Sequence, residues 1–303
     1  MADEGSFPIV DAHHHLWDLG RNPYPWLQDP EPIPFRYGDY SAIKRDYLPA
    51  DYRRDSAGFN IVKTVHMEAE WERSDPAAET RWLTAINAKH GFPNAFIGHG
   101  EPHRADIADV LAAHAKSPLV RGIRHKPASA ASPADATRGA AGSMDDEMWR
   151  RGYALLERHG FSFDLQTPWW HLDAAAQLAR DFPRTTLVLN HTGLPADRSA
   201  EDLAGWRRAM EMLAREPNAA LKISGLGQRG LPWTLEANGP VIRDAIAIFG
   251  AERCMFASNF PVDSLTGSFQ TIFQGFRDAT AKETPANKHK LFHDNAVRIY
   301  RLS

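Results

Sequence analysis

The chain has a single cysteine, Cys254, in 303 residues. That excludes an intrachain disulfide, suits a reducing compartment and predicts a cytoplasmic protein. There is no basic excess: Lys and Arg number 35 against 38 Asp and Glu, for a net charge of −3. This balance argues against nucleic acid or an anionic membrane as partner. No apolar run is long enough to span a bilayer. The opening MADEGSF is short and acidic, unlike the basic and apolar parts of a secretory leader. What remains is a small-molecule substrate, and the composition is compatible with a homo-oligomer. Two residue types are abundant, with 14 histidines and nine tryptophans. Imidazoles suit metal or proton chemistry and indoles often wall ligand pockets, although both also serve as packing residues.

Short apolar runs recur along the whole chain, at 8–15, 60–70, 94–102, 119–127, 160–168, 185–193, 218–227 and 253–261. Most are continuous rather than alternating, as parallel strands buried on both faces require. Helical patterns separate them. In 75–91, Thr80, Leu83, Thr84 and Asn87 fall at helical spacing, with Gly91 as a stop. Residues 143–159 open with Ser143 as the expected N-cap and place Trp149, Tyr153 and Leu156 on one face. Residues 239–250 and 268–282 read as two more helices. Eight strand–helix alternations predict one α/β domain over 1–303, a closed (β/α)8 TIM barrel. An open doubly wound sheet is the alternative, weakened because no glycine-rich phosphate turn follows the first run.

Each run ends in a polar residue: His15, Glu68, Glu101, Arg124, Gln166, His191, Ser224 and Asn259. Strand ends also turn polar simply by meeting solvent. Eight such ends, biased toward His, Arg and carboxylate, favour an active site at the C-terminal face of the barrel. The segment 18–58 is rich in proline and aromatics and reads as a stiff wall over that face. The segment 128–142, small and polar, reads as a mobile lid or as plain disorder. Both of these, with 226–238, are where specificity is expected.

His13 and His15 are one residue apart on a strand, so both side chains share a face. If that face is the barrel interior, the two imidazoles converge and can bind a divalent metal or act as a proton-transfer pair. His14 points the other way, as a packing residue. His191 suits a general base or a third imidazole, or else caps the turn after it. Arg124, with His125 beside it, suits a substrate carboxylate or oxyanion, or else pairs with Glu101 or Asp164. Trp17, Trp26, Trp169, Trp170 and Trp233 offer flat faces for a sugar or a conjugated ring.

The segment VDAHHHLWDLGRNPYPWL resembles the opening of the amidohydrolase-related lactonases, D-x-H-x-H-x-W-D followed by Y-P-W. VRGIRH resembles their fourth strand, LVLNHTGLP their sixth (H-x-G-x-P), ALKISGL their seventh and CMFASNFPVD their eighth. The segments keep the family order over nearly the whole chain. The resemblance implies a barrel of the amidohydrolase superfamily, similar to 2-pyrone-4,6-dicarboxylate lactonase and to the fucono- and rhamnono-lactonases, which open cyclic esters with water. It implies His13, His15 and His191 as catalytic residues. Where a metal is present, His13 and His15 would hold it. Two departures stand out. The fifth strand carries Asp164 and Gln166 where metal-binding members have a histidine. The family's eighth-strand aspartate is Asn259 here, and an amide takes no proton at neutral pH. Asp263 is the first substitute for the base, ahead of His191 and Glu68. Its plain alternative is a cap for the helix near Ser268, or a partner for a surface arginine.

The leading expectation is therefore lactone hydrolysis, with Arg124, His125, Asn259, Glu68, Trp169 and Trp17 binding substrate and any divalent metal, such as zinc, weakly held. A metal-dependent decarboxylase or other C–C lyase of the same superfamily is the second reading. A non-catalytic binding barrel is the third.

Overall fold

The structure, a computed structural model, describes residues 7–303; the MADEGS opening lies outside the described residues. Eight strands form one sheet in chain order: β1 (Ile9–His14), β2 (Ile61–Met67), β3 (Ala95–His99), β4 (Val120–His125), β5 (Ser162–Leu165), β6 (Leu187–Leu189), β7 (Ala219–Ile223) and β8 (Cys254–Phe256). Every adjacent pair is parallel. The chain just after β8 returns to β1, with Asn259 N donating to His13 O (2.8 Å) and His15 N to Phe260 O (2.7 Å). The sheet thus closes on itself with helices between the strands, a (β/α)8 barrel.

Two apolar layers hold it. Val10, Ala12, Val65, Met67, Ala95, Ile97, Val188, Ala220, Met255 and Ala257 fill the interior. Alternate residues such as Phe96, Phe163, Leu187 and Leu221 pack outward against the helices. Tyr300 and Leu302 join the inner cluster, and Lys63 and Arg121 hold the last carbonyls near the starts of β2 and β4. The chain end therefore stops the N-terminal mouth of the barrel.

Strand β1 is irregular, with a shift in register between Asp11 and His14. Val10 and Ala12 face inward, yet His13 and His15 do so as well. The shift lets His13 turn inward directly after Ala12, while Asp11 points outward and accepts from Tyr52 OH (2.8 Å), Ser258 N (2.8 Å) and Ser258 Oγ (2.6 Å). That carboxylate ties β1 to the segment after β8 and sets the height of the two histidines.

The helix Ala78–His90 stops at Gly91 with φ of 76°, as its sequence indicates. Phe269–Ala279 is capped by Ser268 itself. That helix ends at Ala279, short of the expected 282, and two further boundaries differ from expectation. Ser143 does not cap; Asp146 does, accepting from Met148 N, and the helix runs Glu147–Tyr153 before tightening into a 3₁₀ segment, Ala154–His159. The helix expected over 239–250 starts earlier, at Leu235, because Thr234 is its cap and accepts from Ala237 N.

Candidate active site

A pocket of about 320 Å³ opens at the C-terminal ends of the strands. Strand-end residues His15, Arg124, Gln166, His191 and Asn259 line it, and Glu70 and Lys126 add a charged pair. The opposite wall comes from the segment 18–58, through Trp26, Pro34, Phe35 and Arg36. The rings of Trp26 and Phe35 stack at 5.8 Å and 18°. That segment is also more ordered than a bare wall, since it holds the helices Pro25–Gln28 and Pro49–Asp55.

Three atoms meet at one corner. His13 Nε2 lies 3.3 Å from His15 Nε2, and His15 Nε2 lies 3.3 Å from Asn259 Oδ1. His191 stands beside them, its ring centroid 4.7 Å from that of His13. Hydrogen bonds fix one tautomer. His15 Nδ1 faces the Met67 carbonyl at 2.9 Å, so it must carry the proton and donate. His15 Nε2 is then a lone pair. His191 Nδ1 faces Ser224 Oγ at 3.0 Å, a hydroxyl that either donates or accepts. Burial, followed by nearby cations, holds all three imidazoles neutral: His15 falls to about 3, while His13 and His191 fall well below the usual range.

Arg124 is 3% exposed. Its partner is neither Glu101 nor Asp164 but Glu68, through Nε to Oε1 (2.6 Å) and Nη2 to the Glu68 carbonyl (2.9 Å). Nη1 reaches Gln166 at 3.4 Å and borders the pocket. Burial pushes the Glu68 carboxyl up, but Arg124 and His99 hold it well below the carboxylate range. Glu68 is thereby committed to orienting Arg124. Behind it, His99 bonds Glu101 at 3.1 Å.

The structure brings His13, His15, His191, Arg124 and Asn259 together and places the other sequence candidates elsewhere. Asp263 stands behind Asn259 and does not line the pocket; it accepts from Asn259 Nδ2 (2.6 Å), Tyr37 OH (2.7 Å) and Gly225 N (3.1 Å). It does not cap the helix after Ser268, but it does pair with an arginine, Arg36, whose Nη2 lies 3.7 Å away and which also lines the pocket. His125 accepts from Trp149 Nε1 (3.1 Å) and sits in a smaller neighbouring cavity with His99 and Glu101. Trp17 is fully buried, donates to the Arg45 carbonyl and stacks near His15 from outside the pocket. Trp169 and Trp170 line a separate groove beside Ser132 and Arg208. Trp233 packs on Phe276.

Among charged residues, Arg36, Glu70 and Lys126 of the pocket, and Lys222 of the barrel interior, were not singled out from sequence. Lys222 had a signal, a lysine amid the apolar run of β7. It is fully buried, 2.7 Å from Asp164 Oδ1. Burial lowers its ammonium to about 8 against the pull of Asp164, which leaves it a cation at neutral pH. Backbone strain also marks the site. Of six non-glycine residues with positive φ among the described residues, four line the pocket: Glu70, His191, Leu194 and Asn259. Such strain concentrates where a site dictates side-chain direction.

A family model described as "Amidohydrolase" matches residues 10–302. A Sinorhizobium fredii protein, y4mH, is 41% identical over 97% of this chain and 98% of its own. An L-fucono-1,5-lactonase of Burkholderia ambifaria is 28% identical over 97% of this chain and 95% of its own. A Burkholderia multivorans amidohydrolase, crystallised with bound zinc, shares the fold at a TM-score of 0.79 and 24% identity, covering 97% of this chain and 99% of its own.

The zinc in that neighbour invites a test of fit. The 3.3 Å separations among His13, His15 and Asn259 suit ligands about 2.0–2.1 Å from a tetrahedral zinc. Protonation fits less well. A metal-bound histidine donates its other ring N–H to an acceptor. His15 does so, but His13 Nδ1 is buried with no partner. Among the described residues, no carboxylate joins His13 and His15 in a ligand cluster. The residues do not fit a tightly held metal. Among the described residues, three imidazole and carboxylate donors do gather at His289, His293 and Asp294. That cluster packs on Phe7, before β1, and so lies at the opposite end of the barrel. The matching segments, their order and the closed barrel together make this chain a member of the amidohydrolase family.

Proposed function

We propose the following chemistry for an enzyme that opens a cyclic carboxylic ester with water. The observation that carries it is the corner of His13, His15 and Asn259. His15 Nε2 is bare, so His13 Nε2, 3.3 Å from it, carries the proton as donor, while His15 Nε2 and Asn259 Oδ1 are acceptors. Two acceptors 3.3 Å apart need a shared donor. A water supplies it, donating to both and accepting from His13.

His15 takes a proton from this water as it attacks the ring carbonyl carbon. The negative charge that develops on the carbonyl oxygen is met by Arg124 Nη1–H and by His191 Nε2–H, the latter with Nδ1 accepting from the Ser224 hydroxyl. The C–O ring bond then breaks. The proton on His15 passes to the departing ring oxygen, and the product is a hydroxy acid. Trp26 and Phe35 cover the apolar face of the ring. Asn259 orients the water and takes no proton. Asp263 holds Asn259 in place, so the base expected at Asp263 moves to His15.

A divalent ion entering the corner meets two imidazoles and an amide, and is weakly held by His13 and His15. No step above passes through it. Decarboxylation has less support, since Arg124 and His191 offer donors for an oxyanion and the corner offers a base for water. The lone buried thiol of Cys254 fits a cytoplasmic, single-barrel enzyme over 1–303; no described helix is long and apolar enough to cross a membrane.

The test is a panel of five- and six-membered lactones, both sugar-derived and flat conjugated rings, read with a pH indicator. Acid release that is lost in His15→Gln is expected. Folded protein inert toward the whole panel would overturn the assignment.

A further inference from the structure

Lys222 takes no part in the chemistry above, yet it is fully buried. It follows Ala220 by two positions on β7, so it projects into the interior like Ala220. Its Nζ lies 2.7 Å from Asp164 Oδ1 and 4.9 Å over the ring of Tyr300. Asp164 Oδ1 already accepts from Asn190 Nδ2 (3.0 Å) and Tyr300 OH (2.9 Å), and Nζ makes no well-formed hydrogen bond. An ammonium has three donors. One meets Asp164, one meets the ring face, and one is left over.

The same interior holds further unpartnered acceptors, Asp164 Oδ2 and Asn190 Oδ1 within the group around Lys222 and His13 Nδ1 at the site itself. His13 Nδ1 is buried without a partner. Among the charges around His13, Lys222 acts on it most strongly. The neighbouring ring closes the argument. His15 Nε2 is a lone pair because Nδ1 donates to Met67. His13 Nε2, 3.3 Å away, avoids lone-pair repulsion only by carrying the proton. Its Nδ1 is then an acceptor facing a cation.

We propose that Lys222 is a positioning residue whose ammonium acts on His13 Nδ1 through buried water, and so holds His13 in its Nε2–H form. This rests on the reading of His13 as donor to the attacking water. It also explains the poor fit to metal. Ligation through His13 Nε2 requires the proton on Nδ1, where it would face the ammonium, donor against donor. The charge below the site works against a charge within it.

Two measurements decide the matter without an activity assay. Long-range ¹H–¹⁵N spectra of ¹⁵N-histidine protein, with His13 assigned by loss in His13→Gln, should show Nε2 protonated and Nδ1 bare. Protonated Nδ1 overturns the proposal. Calorimetric zinc titration then compares wild type with the double variant Lys222→Met, Asp164→Asn, which removes both buried charges together. Zinc should bind the double variant about 10–100-fold more tightly, the scale on which outer partners tune a metal site. Equal affinity overturns the proposal. If the double variant does not fold, the wild-type spectrum still decides. Neither readout depends on lactone turnover, so failure here is separable from failure of the proposed reaction.

Discussion

Asn259 donates its amide to Asp263 Oδ1 across 2.6 Å while turning its own Oδ1 toward His15 Nε2 at 3.3 Å. The carboxylate thereby fixes which way the amide points. A flipped amide would set its oxygen against Asp263, acceptor against acceptor. Tyr37 and Gly225 hold the other approaches to Asp263. Burial pushes its carboxyl up, and Arg36, Asn259, Tyr37 and Gly225 pull it back.

Asp263→Asn should therefore lower kcat by about 10-fold, the scale of one charge-assisted hydrogen bond of ~1.5 kcal/mol, with KM little changed. Steady-state kinetics on the best lactone of the panel provide the check. A fall of ~10²-fold or more would make Asp263 the base after all.

His15→Gln should lower kcat by ~10²–10⁴-fold, because glutamine keeps a hydrogen bond to water but takes no proton. His191→Gln should cost ~10²–10³-fold, as loss of one oxyanion donor does. A His15→Gln enzyme with kcat within a few-fold of wild type would return the base to His191.

Much of this was legible in the sequence, and what was not has physical causes. Eight apolar runs sufficed for eight parallel strands, since strands buried on both faces leave no other pattern. The polar ends gave His15, Arg124, Gln166, His191 and Asn259, which do converge. Tautomers were out of reach, because the Met67 carbonyl that fixes His15 comes from the neighbouring strand. Side-chain direction failed wherever a loop sets it. Trp17 and Trp169 are as flat as Trp26, but only Trp26 lies on a segment that crosses the mouth. His125 adjoins Arg124 and so points to the opposite side of β4, toward Trp149. Lys222 was visible as a charge inside an apolar strand. Its role needed the orphaned nitrogen of His13, a matter of interior depth that no spacing reveals.

Gly225 has φ of +62°, and a Cβ there would sit 2.6 Å from His191 Nδ1 and 2.8 Å from Arg36 Nη2. Gly225→Ala should push the His191 ring off its position. A kcat loss of about 10–100-fold is expected from such displacement, with roughly 1–2 kcal/mol of stability lost to the left-handed backbone. Kinetics and urea denaturation read the two effects separately. Wild-type kcat in this variant would show that the position of His191 does not matter to the reaction.

The His99–Glu101 pair gives a pH dependence with a definite sign. The hydrogen bond from His99 lowers the Glu101 carboxyl to about 2, against the effect of burial. Burial lowers His99, but its bonds to Glu101 and Glu68 raise it above its ordinary value. A depressed carboxyl adds stability that is present above its unfolded value of 4.5 and is lost as pH falls toward about 2. A raised imidazole adds stability that is complete below its unfolded value of 6.5 and is lost as pH climbs through its folded value. Both contributions are whole only in the window between those two unfolded values. Glu101→Gln should cost about 1–2 kcal/mol there, reduced from the buried-pair range because the Glu101 side chain is 23% exposed. The remaining contact of His99 with Glu68 limits the loss further. Urea denaturation of wild type and variant at about pH 5.5 and about pH 9 should show the larger gap at the lower pH. A gap that does not change with pH would mean that the pair is held by packing and carries no net charge.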